Sequence, residues 1–234
     1  MAQQVYPPNV IVRTICDAFL RHRGLALAPW NLVGELPVFS DDRVISDMEQ
    51  FGYIRIDALR REPRGARDWV VVLVLGADSK HAHHSPDIRK LLGSVEIERP
   101  AKDGRLDEVI LVVETPFFTK KNLTDVVREA RPERSGGADP EGALPFYNVY
   151  PYHNFALVVP EHVSVAPHRV LSAAETEAFL ARERLQRENL PVIYANDPPI
   201  VWNGGREGQV VEILRDSQLS GVAPYYRRIE RSPY

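Results

Sequence analysis

A few short constellations in this 234-residue chain carry side chains able to do chemistry. His81-Ala82-His83-His84 puts three imidazoles close together, and neutral imidazole is a good zinc ligand. So tight a spacing in a loop gives a poor tetrahedral set. No cysteine or further histidine follows nearby, and His22 is the only other early one, so a solvated loop is expected. Asp107 and Glu114 bracket an apolar stretch. A metal-dependent nuclease needs an Asp, then a Glu-x-Lys on the next strand, to hold a divalent ion and polarise water. The residue two after Glu114 is Pro116, and Lys120 and Lys121 fall beyond the strand, so that triad is incomplete. The expected role is two solvated carboxylates at strand ends. Gly204, Gly205 and Gly208 lack the Lys-Ser/Thr and following helix of a phosphate loop. The single thiol, Cys16, has no base partner and reads as a small buried hydrophobe. One thiol makes no internal disulfide, which fits a reducing compartment. The expectation is no catalytic residue, no metal and no cofactor.

One local feature points to binding instead. Phe117-Phe118-Thr119-Lys120-Lys121-Asn122 follows a buried strand and so falls at a sheet edge. Two lysines and a threonine hydroxyl can contact phosphates without reading sequence. Thr119, Lys120 and Lys121 are therefore the candidate DNA-contacting residues.

The elements that must position these residues form an α/β pattern. Asn9 begins an amphipathic helix with Val10, Ile11, Thr14, Ile15, Ala18 and Phe19 on its apolar stripe, ending near Gly24. Pro29 to Asp41 reads as irregular. Ser46 to Phe51 reads as a short helix, Tyr53 to Leu59 as a strand, and Arg60 to Arg67 as a charged turn. Trp69 to Leu75 and Val109 to Val113 are continuous apolar runs, the mark of buried sheet strands. Ser85 to Leu92 and Thr119 to Ala130 have helical patterns. Arg131 to Ala143 is rich in Pro, Gly and charge and reads as a linker, with an independent module from about Tyr147. Strands are expected at Phe146 to Tyr152 and Ala156 to Pro160. A helix follows, opened by Ser172 with Glu175 three residues on, a capping box. Asp197-Pro198-Pro199 cannot be mid-helix or central strand. Gln209 to Leu214 and Tyr225 to Ile229 read as a strand and its return.

Composition narrows the function classes. Apolar residues make up 44% and charged residues 26%, ordinary values for a globular chain. Net charge is −3, so no global attraction to nucleic acid exists and any DNA contact is local. No run approaches the length of a membrane span and no signal peptide is expected.

From Leu190 onward a string of short signatures runs in register: Leu190-Pro191-x-Ile193, Asp197-Pro198, Gly204-x3-Gly208-x-Val210-Val211-x-Ile213-x-Arg215-x-Ser217, and Ser220-Gly221-x4-Tyr226-Arg227. Val159-Pro160-Glu161-His162 precedes it. The string resembles the C-terminal assembly module of the fifth subunit of eukaryotic RNA polymerases, equivalent to its small counterpart in the archaeal enzyme. The resemblance implies an α/β N-terminal jaw domain with a restriction-endonuclease-like core, residues 1–150, and a small α+β C-terminal assembly domain, residues 151–234. It implies a non-catalytic subunit of a DNA-directed RNA polymerase. That subunit would dock on the largest subunit beside the sixth, omega-like subunit, contact downstream double-stranded DNA and touch no membrane. On the matched motif, Pro160, His162, Pro191, Asp197, Pro198, Gly208, Arg215, Ser217, Gly221, Tyr226 and Arg227 become candidate interface residues. The family's DNA-side loop carries Thr-Pro-Ser-Ala, of which this chain keeps Thr119. Glu212 and Asp216 stand where many relatives are basic, and Leu219 where a hydroxyl is usual. These departures suggest a co-adapted partner surface, as in a divergent lineage. The divergence of the N-terminal half from the family points to a large DNA virus, placing the protein in host cytoplasm and virion; a cellular version would be nuclear. The competing readings are a metal-dependent nuclease and a free-standing transcription regulator.

Overall fold

The computed structural model describes residues 6–34, 36–64, 67–76, 79, 85–97, 105–114, 145–217 and 221–232. The chain divides into two compact units, Met1–Leu157 and Val158–Tyr234.

The first unit opens with α1 (Pro8–Thr14), which continues through a π-helical stretch, Ile15–Phe19, into a last turn at Leu20–His22. Ile11, Ile15, Ala18 and Phe19 of the expected stripe are buried, and Gly24 at φ +67° ends the run. Next come β1 (Leu25–Leu27) and a small hairpin of β2 (Leu32–Val33) and β3 (Leu36–Pro37), where an irregular stretch was expected. The following helix, α2 (Asp41–Phe51), starts earlier than its apolar pattern indicates. Ser40 caps it by accepting from the Arg43 amide, and Asp41 and Asp42 suit the positive end of the helix dipole.

Long strands β4 (Tyr53–Arg64) and β5 (Arg67–Leu75) pair antiparallel from Tyr53↔Leu75 to Leu59↔Trp69 and, after a register shift, again at Arg64↔Arg67, so strand extends into the charged stretch that reads as a turn. Helix α3 (Ser85–Ile97) then leads to β6 (Arg105–Val113). With β7 (Phe146–Pro151), these strands form a five-stranded sheet in the order β1-β4-β5-β6-β7, with β5, β6 and β7 parallel. Ile88, Leu91, Leu92 and Val95 of α3 pack on one face, against Trp69, Val71, Leu73, Val109 and Leu111. Val70, Val72, Val74, Ile110 and Val112, on the other face, are equally buried, as parallel strands require.

Two expectations change here. Strand β7 belongs to the first unit, so the Pro- and Gly-rich chain before it connects two parallel strands of one sheet rather than two domains. Parallel neighbours need a long crossover, which composition alone cannot tell from a linker. And residues 156–160 are not a strand: Val159–Glu161 is a 3-10 turn with Pro160 inside it, where its missing amide costs no ladder bond.

The second unit holds β8 (His168–Val170), α4 (Ala173–Glu183), β9 (Val192–Tyr194), α5 (Pro198–Asn203), β10 (Val210–Ser217) and β11 (Gly221–Glu230). Its four-stranded sheet runs β8-β10-β11-β9, antiparallel except for the β11–β9 pair. The capping box at α4 is present in full: Ser172 accepts from the Glu175 amide while the Glu175 carboxylate accepts from the Ser172 amide. Arg184 in the left-handed region (φ +53°) stops α4. Asp197 sits at the N-cap of α5 with Pro198 in its first turn, which is how the Asp-Pro-Pro step becomes helical.

Candidate functional site

The register of the second sheet sorts its side chains onto two faces. Val211, Ile213, Arg215, Tyr225, Arg227, Ile229, Ile193, Val170 and His168 share one. Helix α5 covers the inner part of that face, where Ile200 packs with Val211, Ile213, Ile229 and Ile193. Gly205 lies so close that a Cβ there would stand 2.7 Å from Ile229 Cδ1 and 2.8 Å from Ile200 Cγ2. The opposite face carries Val210, Glu212, Leu214, Tyr226, Pro224 and Val222. Helix α4 covers its inner part, with Phe179, Leu180, Leu171 and Leu190 around Val210.

Neither flanking strand reaches the far end of the β10–β11 hairpin. β8 pairs only with Val211–Ile213, and β9 only with Arg228–Glu230. Beyond Ile213 and before Arg228 the hairpin is a two-stranded ribbon. One face of the ribbon shows Leu214, Pro224 and Val222, with Val222 62% exposed. The other shows Arg215, Tyr225 and Arg227. Arg215 and Arg227 both lie over the Tyr225 ring, at 5.2 and 5.9 Å from its centroid. Cations over an aromatic face gain from its quadrupole. The Ile229 amide donates to Gln209, so odd-numbered residues of β11 turn their backbone toward β10 and even-numbered ones turn it away. Pro224 therefore lies where no bond to β10 is lost.

The motif residues fall into four groups in this geometry. Arg215 and Arg227 meet at the ribbon, with Asp197 close enough to Arg227 and His168 to feel their charge. Burial raises the Asp197 carboxyl pKa against that lowering, and burial likewise depresses that of the His168 imidazole, whose Nδ1 lies 2.6 Å from the Ala166 carbonyl oxygen. A second group shapes backbone. Pro198 starts α5, and the Pro191 carbonyl accepts from the Arg228 amide. Gly208 (φ +83°) donates to Ile229 and accepts from Arg187, while Gly221 (φ +70°) opposes Ser217 at the hairpin end. Tyr226 stands apart on the covered face. It stacks on Phe179 at 3.9 Å and donates to Glu212 at 2.9 Å, and burial pushes its hydroxyl pKa up. Pro160 and His162 lie in the 3-10 turn and just after it, and the His162 ring accepts from the Ser164 amide.

Other sequence candidates resolve differently. His81, His83, His84, Thr119, Lys120 and Lys121, and the helix expected over Thr119 to Ala130, lie outside the described residues. Among the described residues no cluster of acidic, histidine or cysteine side chains could hold a metal, and no helix is long and apolar enough to cross a membrane. Asp107 is not solvated as expected. It is 5% exposed and forms an ion pair with Arg60, which reaches it across β5. Burial raises the Cys16 thiol to about 12, the opposite of an activated nucleophile. The exposed apolar side chains of the ribbon, Leu214 and Val222, escaped the motif reading because their exposure depends on where β8 and β9 stop.

Comparison with known proteins identifies the family. Residues 157–229 match the family described as RNA polymerase Rpb5, C-terminal domain. A DNA-directed RNA polymerase RPB5 homolog of African swine fever virus is 35% identical over 191 residues, covering 82% of this chain and 85% of that one. The chain belongs to the RPB5 family of RNA polymerase subunits. An archaeal relative, DNA-directed RNA polymerase subunit Rpo5 of Thermococcus celer, is 44% identical over 68 residues, 29% of this chain and 83% of its own. The viral alignment is far longer than residues 158–234, so it runs well into the first unit. This RPB5-type chain is thus of the kind found in a large DNA virus. It is a structural subunit of a DNA-directed RNA polymerase, not a nuclease or a free regulator, and the catalytic role lies with other chains.

Proposed function

We propose that the second unit anchors this subunit to the largest polymerase chain through the free end of the β10–β11 ribbon, beside the sixth, omega-like subunit. The carrying observation is a ribbon whose free end exposes Leu214 and Val222 on one face and Tyr225 on the other. Exposed apolar groups side by side on a soluble chain mark partner surfaces. Arg215, Tyr225 and Arg227 supply direct contacts in this reading. Pro160, His162, Pro191, Asp197, Pro198, Gly208, Ser217, Gly221 and Tyr226 set the shape of the module that presents them. Co-expression of the polymerase with Leu214→Asp plus Val222→Asp tests it. The expected result is loss of the subunit from the purified complex, with the isolated chain melting as the parent does. Full recovery of the complex would overturn the docking site.

The first unit serves as the jaw, built on a restriction-endonuclease-like core, and faces downstream duplex with Thr119, Lys120 and Lys121 against phosphates. The sequence of those residues supports this part, together with the mixed sheet of β1, β4, β5, β6 and β7. Host cytoplasm and virion are its setting, in keeping with the viral relatives. Replacing Lys120 and Lys121 with Glu should weaken the assembled polymerase on all duplex sequences alike. The slope of log affinity against log salt should fall by about two at most. An unchanged affinity across salt concentrations would remove these lysines from the DNA contact.

A further inference from the structure

The hairpin of β2 and β3 is a sheet of its own, apart from the two larger ones. It pairs Val33 with Leu36 across a loop that starts at Gly34 (φ +64°), a residue suited to so tight a turn. Residues paired across two strands share a face. These two aliphatic side chains therefore stand side by side, 71% and 72% exposed. Among the described residues of the first unit, the other exposed large apolar side chains are less exposed, and all but Leu157 lie between Val10 and Phe51. A two-stranded hairpin is marginal in water, and this one is held at its root. The Ala28 amide donates to the Asp57 carbonyl at 2.9 Å, and the Asp57 amide donates to the Asn31 side chain at 2.8 Å. Trp30 and Trp69 each donate an indole N–H to the Asp57 carboxylate at 3.1 Å. The Val38 amide closes the hairpin by donating to the Asn31 carbonyl at 3.0 Å. Asp57 and Asn31 are buried, so matched polar groups fix the root while the tip carries aliphatic groups into solvent.

We infer that this tip is a second attachment point, which inserts Val33 and Leu36 into an apolar depression on another chain of the same polymerase. Burying a pair already held in place removes apolar area from water without the cost of ordering the hairpin. The exposed area decides the occupant. An interface that stands alone buries about 800 Å² on each partner. Two aliphatic side chains, with half-exposed Trp30 at the root, offer only a fraction of that, too little to hold two copies of this chain together. A subunit already attached to an assembly meets a different requirement. Once one contact is made, the next closes at a high effective concentration, and a few side chains suffice. The family of this chain places it in such an assembly. A phosphate backbone gains nothing here, since neither side chain can donate a hydrogen bond. The inference rests on membership of the polymerase and not on the ribbon as a docking site.

The test uses the full chain and the polymerase assembled with it. Val33→Asp plus Leu36→Asp changes two side chains that stand in solvent, so the free chain should melt as the parent does. Its dissociation from the assembled polymerase, followed by exchange against labelled parent subunit, should be at least tenfold faster, because interface changes act mainly on the off-rate. Val33→p-benzoylphenylalanine puts a photoreactive ketone at the tip. Irradiation of the assembled polymerase should join the ketone carbon to a C–H carbon of another polymerase chain, with the hydrogen passing to the ketone oxygen. Mass spectrometry of the linked peptides locates the partner. A parental dissociation rate for the double Asp variant would overturn the proposal. So would absence of a link to another polymerase chain in a fully assembled complex, or links only between two copies of this chain, which would assign the tip to self-association. If the double Asp variant fails to fold, the photochemical link decides. The Leu214→Asp plus Val222→Asp variant keeps the two attachment readings apart. A complex that survives it, while the tip still links and the tip variant still leaves faster, removes the ribbon and keeps the hairpin.

Discussion

The two sheets of this chain treat charge and surface in opposite ways. The five-stranded sheet is buried on both faces and closes its charges inward. Glu108, 1% exposed, accepts from Arg23 and from Asn148, while Asp57 accepts from Trp30, Trp69 and Arg55. The four-stranded sheet is covered by a helix on each face only over its inner part. Its far end is bare, with arginines on one side and aliphatic groups on the other. A domain whose polar groups are matched internally is finished when it folds. One that leaves Val222 and Tyr225 exposed at its far end still offers surface.

Substitutions can break or sharpen that contrast. The largest effect belongs to the first sheet. Glu108→Ala leaves Arg23 buried without its carboxylate and should cost about 3–5 kcal/mol, read as a drop in the urea midpoint of the full chain. A smaller loss belongs to the covered part of the second sheet. Gly205→Ala forces a methyl into Ile229 and Ile200 and should cost about 1–3 kcal/mol. Amide exchange should show that loosening within residues 158–234.

Smaller again is the cap of α4. Ser172→Ala should cost about 1 kcal/mol of stability. The Ser172 amide and hydroxyl and Arg169 hold the Glu175 carboxyl at about 2, below its ordinary 4.5. Because the folded pKa is the lower one, this stabilisation is complete above the ordinary value and is lost as pH falls toward 2. The melting difference between the parent and Glu175→Gln should therefore shrink as pH drops from 5 to 2. Smallest is the ribbon: Val222→Ser should shift folding stability by no more than about 0.5 kcal/mol. A large loss of stability there would mean that the ribbon is part of the fold rather than a surface kept for a partner.

Legibility in the sequence followed the distance over which each feature is decided. Trp69 to Leu75 and the Ser172–Glu175 box are local, and both are present where the residues place them. Strand β7 pairs with β6 across an intervening stretch of more than thirty residues, so its sheet could not be read from its own pattern. Asp107 looked solvated because its partner, Arg60, stands 47 residues away. At the site, the Tyr226-Arg227 motif was legible as a string. Its split across two faces was not, since that depends on the register Val211↔Arg227 and Glu212↔Tyr226.

Pro224 has one more consequence, for the subunit before it is assembled. The ribbon's outer strand offers backbone donors and acceptors from Val222 to Tyr226, the kind of row on which a second copy could zip. Pro224 removes a donor from the middle of that row without weakening the hairpin. Pro224 thus interrupts the edge along which a second copy would have to pair. Pro224→Val should fold normally yet scatter more light when the free subunit is concentrated.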